Sequence, residues 1–331
     1  MERISSPIAK KILSAGRFIA LLFLSPMIAK GAKAYRPAAL VTGSTDGIGV
    51  TTAKHLVSHK GFDVILHGRD PRRIQRAEEL VMDFVAHQAR APDDFRIIRT
   101  SPADLSTVDG ALQLAQEVRS LCERENLPLT VLMNNAGVFS EKHVITSEGL
   151  ELTFAVNVVS VFVITSLLLP VLLKQKGSRI VIASSISQCQ SIRNWDDFTY
   201  SKRRYSAHAA YSESKLLDAM LTMEIAERLK QANVGTDQLT CNCLDPGTVN
   251  TKMLLAGWGP CGIAVEDALD QTWLCSSDEV KDTTGKYFVY RSERRAASSA
   301  YDPHEREKLW NMLSELAPKA AEVWNFEWMQ A

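Results

Sequence analysis

Ala38-Ala39-Leu40-Val41-Thr42-Gly43-Ser44-Thr45-Asp46-Gly47-Ile48-Gly49 joins an apolar run, a glycine-rich turn and the start of a helical pattern. Glycines let the backbone turn tightly and let a ligand come close, and the helix behind them presents unpaired N–H groups to an anion. A glycine triplet alone would suit any turn. The strand before it and the helix after it are what make it read as a dinucleotide pyrophosphate site. Its spacing, Gly-x-x-x-Gly-x-Gly, departs from the commoner Gly-x-Gly-x-x-Gly.

Outward from this stretch, apolar runs alternate with amphipathic helical stretches, as in a parallel sheet covered on both faces. Strands are expected at 38–42, 62–67, 95–100, 129–134, 179–184, 238–244 and 286–290. Helices are expected near 47–60, 71–89, 107–125, 149–175, 207–231 and 262–276, with a last one near 302–324. The chemical signals come from many of these segments, so a single α/β domain with one crevice fits better than two. The 331 residues are 46% hydrophobic, enough for a large core. The 38 basic and 38 acidic residues cancel, which gives no global case for nucleic acid and favours a small-molecule partner. The six cysteines show no metal-ligand pairing, so no metal is expected; buried free thiols in a reducing compartment are.

Residues 1–36 differ from the rest. Arg3, Lys10, Lys11, Arg17, Lys30, Lys33 and Arg36 flank the apolar run Phe18 to Leu24, which Ser25-Pro26 breaks short of the ~20 residues of a spanning helix. An interfacial anchor, a transit peptide and a secretory signal compete for this segment, in that order. The expected organisation is therefore an N-terminal anchor or targeting segment (1–36), a Rossmann-like α/β domain (37–300) and a C-terminal helical extension (301–331).

The site residues follow the strands. About 20 positions past the glycines, where an acid would grip a ribose hydroxyl, stands Arg69, which suits a 2′-phosphate. If Asp70 faced the ribose instead, the preference would reverse. Asp104-Leu105 follow the third strand, where they contact an adenine or prepare a helix N-terminus. Asn134-Asn135-Ala136-Gly137 end the fourth strand with amides and small residues that admit a ligand or simply make a turn. Asn157 is a lone amide in an apolar run, bound to pin a backbone group or hold a water. Ser184-Ser185 end the fifth strand, where a hydroxyl can polarise a carbonyl. Pro246-Gly247-Thr248-Val249-Asn250-Thr251 follow the sixth, as a turn whose backbone could frame a nicotinamide amide. Tyr211 and Lys215 are four residues apart, which stacks them on one helix face. An ammonium there favours the phenolate; lowering a phenol pKa by roughly three units from about 10 takes about 4 kcal/mol.

In this order, Thr42 to Gly49, Asp104, Asn134 to Gly137, Asn157, Ser185, Tyr211 with Lys215 and Pro246-Gly247 resemble the short-chain dehydrogenase/reductase family over roughly residues 37–290. Ser185 and Tyr211 lie 26 positions apart, about twice the spacing of shorter members, and the stretch from Ile186 to Ala210 looks like the insertion of the retinol dehydrogenase and WW-domain oxidoreductase-like branch. The resemblance implies a Rossmann-type, doubly wound, seven-stranded parallel sheet and a tetrad of Asn157, Ser185, Tyr211 and Lys215. Tyr211 would exchange a proton with the substrate oxygen as a hydride moves between nicotinamide and the carbonyl carbon. Ser185 would hydrogen-bond that oxygen, Lys215 would hold the cofactor ribose and lower the tyrosine's pKa, and Asn157 would support a relay water. A homodimer is a family expectation. Ser160, where the branch usually has glycine, and Asp46 in the glycine loop depart from the pattern.

The expected activity is an NADP(H)-dependent, rather than NAD(H)-dependent, conversion of a hydrophobic alcohol or carbonyl. Trp195, Phe198, Tyr200 and Tyr205 in the insertion, with Met253, Leu254, Leu255 and Trp258, either wall a lipophilic substrate or anchor a long loop. An anchor in residues 1–36 would agree with a retinoid, steroid or polyprenoid at a membrane, the endoplasmic reticulum before the mitochondrion or plastid. A different class of function, a nicotinamide-sensing interaction protein at a membrane, rests on that basic segment and on the Trp324 to Trp328 tail.

Overall fold

The computed structural model describes residues 36–88 and 95–327, all within the compact unit that begins at Arg36. The expected anchor lies outside the described residues apart from Arg36, and so does Trp328. One sheet contains β1 (Ala38–Val41), β2 (Asp63–Leu66), β3 (Ile97–Arg99), β4 (Leu129–Asn134), β5 (Ser178–Ala183), β6 (Leu239–Asp245), β7 (Tyr287–Val289) and β8 (Ser292–Arg294). Their order is β3-β2-β1-β4-β5-β6-β7-β8. The first seven pair in parallel, and β8 adds an antiparallel edge to β7. The sheet thus has eight strands where seven were expected. Strand β8 carries no apolar signal, since Ser292, Glu293 and Arg294 are all exposed. Its turn places Tyr290 and Arg291 at φ 49° and 59° without the Asn or Gly that usually marks such a hairpin.

The helices are α1 (Gly47–Lys60), α2 (Pro71–His87), α3 (Val108–Arg124), α4 (Leu152–Leu172), α5 (Ala207–Gln231), α6 (Lys252–Gly257), α7 (Asp270–Ser276), α8 (Pro303–Leu316) and α9 (Pro318–Ala321). Successive strand residues face opposite sides, so Ala39 and Val41 pack with α1, α2 and α7, while Ala38 and Leu40 join the larger core under α3, α4 and α5. Both faces are therefore dry, which is why the strands read as unbroken apolar runs. By length and composition α4 could cross a membrane, yet 89% of its apolar window is buried inside the fold, so it is a core helix. Residues 155–159 of α4 form a π-helical turn around Asn157. Such turns are commonest where a helix serves a site.

The expected helix at 262–276 is a 3₁₀ turn followed by α7, and the one at 302–324 is broken at Ala317-Pro318. Helix α6 was not foreseen; its six residues include no buried side chain to set a period. Of the six free cysteines, Cys189 is half-buried and Cys261 exposed, against the expectation of buried thiols.

Candidate functional site

The strand order reverses between β1 and β4, and open α/β sheets bind ligands beyond the strand ends at such a switch point. There the two strand ends are tied together. Thr42 Oγ1 accepts from the N–H groups of Asn135 and Ala136, each at 3.0 Å, and Asn135 Nδ2 donates to the Thr42 carbonyl at 2.8 Å. Gln271 on α7 holds the other end of that amide, donating to Asn135 Oδ1 at 3.1 Å. The closeness explains the glycines. A Cβ on Gly49 would lie 2.5 Å from Asn135 Nδ2 and 2.6 Å from the Gly43 carbonyl oxygen, and Gly43 itself has φ +64°.

His67, at the end of β2, fixes the loop from beneath. Gly43 N–H donates to its Nδ1 at 3.1 Å, so the proton sits on Nε2, which donates to the Ala103 carbonyl at 3.2 Å. Burial drives the imidazole pKa down to about 4, and the ring stays neutral.

A cavity of about 400 Å³ opens over these strand ends. The glycine loop contributes Gly43, Thr45, Asp46, Gly47, Ile48 and Gly49 to its wall, and the β2 and β3 ends contribute Arg69, Asp104 and Leu105. Asn135, Ala136 and Gly137 line its middle, and Tyr211, Lys215, Pro246 and Thr251 its far side. Of the residues expected here, Asn157, Ser185, Gly247 and Val249 do not line it. Met253 and the cations Arg73 and Lys252 also line the cavity.

Charge at the outer end is arranged around Asp46. Its carboxylate caps α1 by accepting from Gly47 N–H and pairs with Lys252 at 2.6 Å and Arg73 at 3.1 Å. The Lys252 hydrogen bond holds its pKa below the usual carboxylate range, against a smaller effect of burial. Asp70 does not line the cavity and caps α2, accepting from the N–H groups of Arg72 and Arg73. Arg69 is left facing the cavity. Asp104 shapes the turn before α3, accepting from Ser106 N–H at 3.0 Å, while Thr107 provides the helix cap. The cavity therefore has a helix N-terminus with close-packed glycines and three cations at one end and a phenol–ammonium pair at the other. That donor set fits an anionic dinucleotide.

At the inner end, Tyr211 and Lys215 share the face of α5 that meets β5, with the Lys215 ammonium 5.6 Å from the phenol ring centre. Lys215 Nζ donates to the Ala183 carbonyl at 2.7 Å and to Asp218 Oδ2 at 2.8 Å. The Ser185 hydroxyl acts on the Tyr211 phenol and favours its ionised form. Lys215 pulls the phenol's pKa down, as expected, but it is not the largest influence. Burial raises it, and the opposing pull of Lys215 and Ser185 does not offset that; Asp218 and Asp245 push the same way as burial. Asn157 pins a backbone: its Oδ1 accepts from Val138 N–H at 2.8 Å, and its Nδ2 donates to the Val138 carbonyl and to Ser214 Oγ. Ser160, the departure noted above, is accommodated by a bond from its hydroxyl to the Val156 carbonyl.

The insertion aromatics serve as anchors. Trp195 Nε1 donates to Glu305, Phe198 stacks on Phe154, the Tyr205 hydroxyl donates to the Ser140 carbonyl, and the Tyr200 hydroxyl donates to Glu213, two residues past Tyr211. The rings beside Tyr211 are Phe139 and Trp258, at centroid distances of 5.8 and 5.5 Å. Phe139 was not singled out from sequence. It follows the Asn134 to Gly137 turn by only two positions, and that adjacency was the available signal.

Known proteins place the chain in a family. Residues 37–256 match the short chain dehydrogenase family. The chain is 31% identical to Homo sapiens retinol dehydrogenase 14 over 290 residues, 82% of this chain and 84% of that protein. It is 30% identical to Homo sapiens polyprenol dehydrogenase over 295 residues, 84% of each. Among solved structures, L-sorbose reductase from Gluconobacter frateurii, complexed with NADPH and L-sorbose, superposes with a TM-score of 0.58 at 20% identity, over 77% of this chain and 94% of that one; at that identity the likeness is one of fold. The chain belongs to the short chain dehydrogenase family, in its retinol dehydrogenase-like branch, and is an oxidoreductase of CH–OH and carbonyl groups that uses a nicotinamide cofactor.

Proposed function

We propose that the chain interconverts a hydrophobic alcohol and its carbonyl with NADP(H), and that Tyr211 exchanges the proton with the substrate oxygen. The observation that carries this reading is the buried Tyr211 phenol beside Lys215, at the inner end of a cavity whose outer end holds the glycine loop and Arg69. A bound nicotinamide would supply or take a hydride at the carbonyl carbon. Tyr211 gives its proton to the oxygen in reduction and takes the alcohol proton in oxidation. Ser185 donates a hydrogen bond to the same oxygen, and Lys215 presents an ammonium to the cofactor ribose. Both amide hydrogens of Asn157 are committed, so it acts by fixing the Val138 wall.

The Phe139 and Trp258 rings, together with Met253, make the approach to Tyr211 apolar. Relatives named for retinol and polyprenol support a retinoid-, steroid- or polyprenoid-like substrate. Membrane association through residues 1–36, in the endoplasmic reticulum first, belongs to the same proposal. The interaction-protein reading loses half its basis, because Trp324 is a core residue.

Tyr211→Phe is expected to abolish turnover in a retinoid and prenol screen while NADPH still quenches or shifts protein fluorescence; retained turnover would sink the mechanism. Arg69→Gln tests the cofactor. It should weaken NADPH roughly tenfold, about 1.4 kcal/mol, and leave NADH nearly unchanged. Equal losses for both would remove Arg69 from the 2′-phosphate site.

A further inference from the structure

Strands β5 and β6 pair in parallel as far as Ala183 and Leu244, and the ladder's last bond runs from Ser184 N–H to the Leu244 carbonyl at 2.8 Å. By the two-residue step of a parallel ladder, the next bonds would join Pro246 to Ser184 and Ile186, but proline has no N–H to give. The strands part there, between Ser185 and the Pro246-Gly247 turn. Asp245 spans the gap. Its Oδ1 accepts from Ile186 N–H at 3.0 Å and its Oδ2 from Gly247 N–H at 3.2 Å. The bond to Gly247 is an ordinary turn of an aspartate with the backbone two residues on, which Asn or Ser would make as well. The bond to Ile186 crosses to another strand, and no turn requires it.

Asp245 is 4% exposed, and a carboxylate so buried costs stability unless its oxygens are satisfied. Burial raises its pKa, and the bonds from Ile186 and Gly247 pull the other way. We propose that Asp245 is a positioning residue, whose two oxygens hold the peptide after Ser185 and the Pro246-Gly247 turn at a fixed separation, so that the Ser185 hydroxyl and the nicotinamide reach one substrate carbonyl together. The neighbouring bonds agree. Ser185 Oγ accepts from Ser187 N–H at 3.1 Å, which holds the hydroxyl in place and leaves its proton to donate. Ser184, the other hydroxyl at this strand end, is committed to the Lys215 carbonyl at 2.7 Å. Across the gap, Pro246 lines the cavity. One carboxylate therefore ties the segment that carries the donor to the turn that borders the cofactor.

This rests on the reading of Ser185 as a donor to the substrate oxygen, and a double-mutant cycle tests the two ideas separately. Full-length wild type, Ser185→Ala, Asp245→Ser and the double variant are compared by NADPH oxidation at saturating cofactor, with all-trans-retinal or whichever carbonyl of the retinoid and prenol screen turns over fastest. A serine at 245 can still accept from Gly247 but is too short to reach Ile186. Ser185→Ala is expected to lower kcat about a hundredfold, the loss of one hydrogen-bond donor to the reacting oxygen. Asp245→Ser should lower kcat about tenfold, with KM for NADPH within about twofold of wild type, and should lower it no further in the Ser185→Ala background. Asp245→Asn, which keeps one acceptor oxygen of the two, should show the same dependence on Ser185 and serves if Asp245→Ser does not fold. Equal losses in both backgrounds, or none in either, overturn the proposal. Loss of NADPH binding by both Asp245 variants also overturns it, because the carboxylate would then be a support of the fold. A Ser185→Ala variant with wild-type kcat would instead overturn the role given to Ser185, and a wild-type chain that reduces no carbonyl of the screen would overturn the reading as a whole.

Discussion

His67 shows how one side chain couples the stability of the glycine loop to pH. Its neutral ring accepts from Gly43 and donates to Ala103, so a second proton would break the Gly43 bond. The folded pKa, about 4, lies below the unfolded value of 6.5 because burial disfavours the charged form. A group depressed in this way contributes stability that is complete above 6.5 and is lost as pH falls through the folded value. A gap of about 2.5 units corresponds to about 3 kcal/mol. Asp218 acts with the opposite sign in an overlapping range, since its pKa is raised, so the wild-type curve alone is not diagnostic. Urea unfolding of wild type and His67→Gln should be compared at several pH values. The advantage of the wild type is expected to shrink by about 3 kcal/mol between pH 6.5 and 4, and a constant difference would show that His67 is not neutral in the fold.

Elements were legible where both burial and local chemistry spoke, and illegible where only one did. The parallel strands of the core could be read because a strand buried on both faces is a plain apolar run, as in Val64-Ile65-Leu66 or Ile180-Val181-Ile182. Helix α1 was legible from the glycine turn before it, and Gly61 closes it at φ +73°. Strand β8 and helix α6 had no buried face to announce them. The same distinction holds inside the site. Tyr211, Lys215, Ser185 and the glycines stand in local patterns, and the fold brings them to one crevice. His67 and Lys252 gain their meaning only across elements, from β2 to the glycine loop and from α6 to α1. No local pattern distinguishes Asp46 as a ligand contact from Asp46 as a helix cap paired with Lys252. The insertion aromatics carry the same ambiguity, because a ring that walls a substrate and a ring that anchors a loop are the same letter in the sequence.

At the scale of the whole molecule, the C-terminal helices complete the larger core. Helices α8 and α9 lie over α5 and α4, where Trp310 meets Phe162 edge-on at 5.2 Å and carries the Arg228 guanidinium 3.8 Å above its ring. Trp324 packs edge-on against Trp310 at 5.1 Å, and its Nε1 donates to Ser166 Oγ on α4 at 2.7 Å. Without this layer the outer face of α4 would expose Phe162 to water, so the extension belongs to the hydrophobic core that supports the Tyr211 helix. Trp324→Ala removes a large buried ring and leaves a cavity, a change that costs about 3–5 kcal/mol. Ser166 keeps its bond to the Phe162 carbonyl, so no buried hydroxyl is orphaned and the loss is one of packing. Urea unfolding should therefore show a lower midpoint with an unchanged slope, and NADPH affinity measured well below that midpoint should match the wild type. A midpoint shifted by less than about 1 kcal/mol equivalent would mean that the C-terminal helices are an appendage and that α4 and α5 are stable without them.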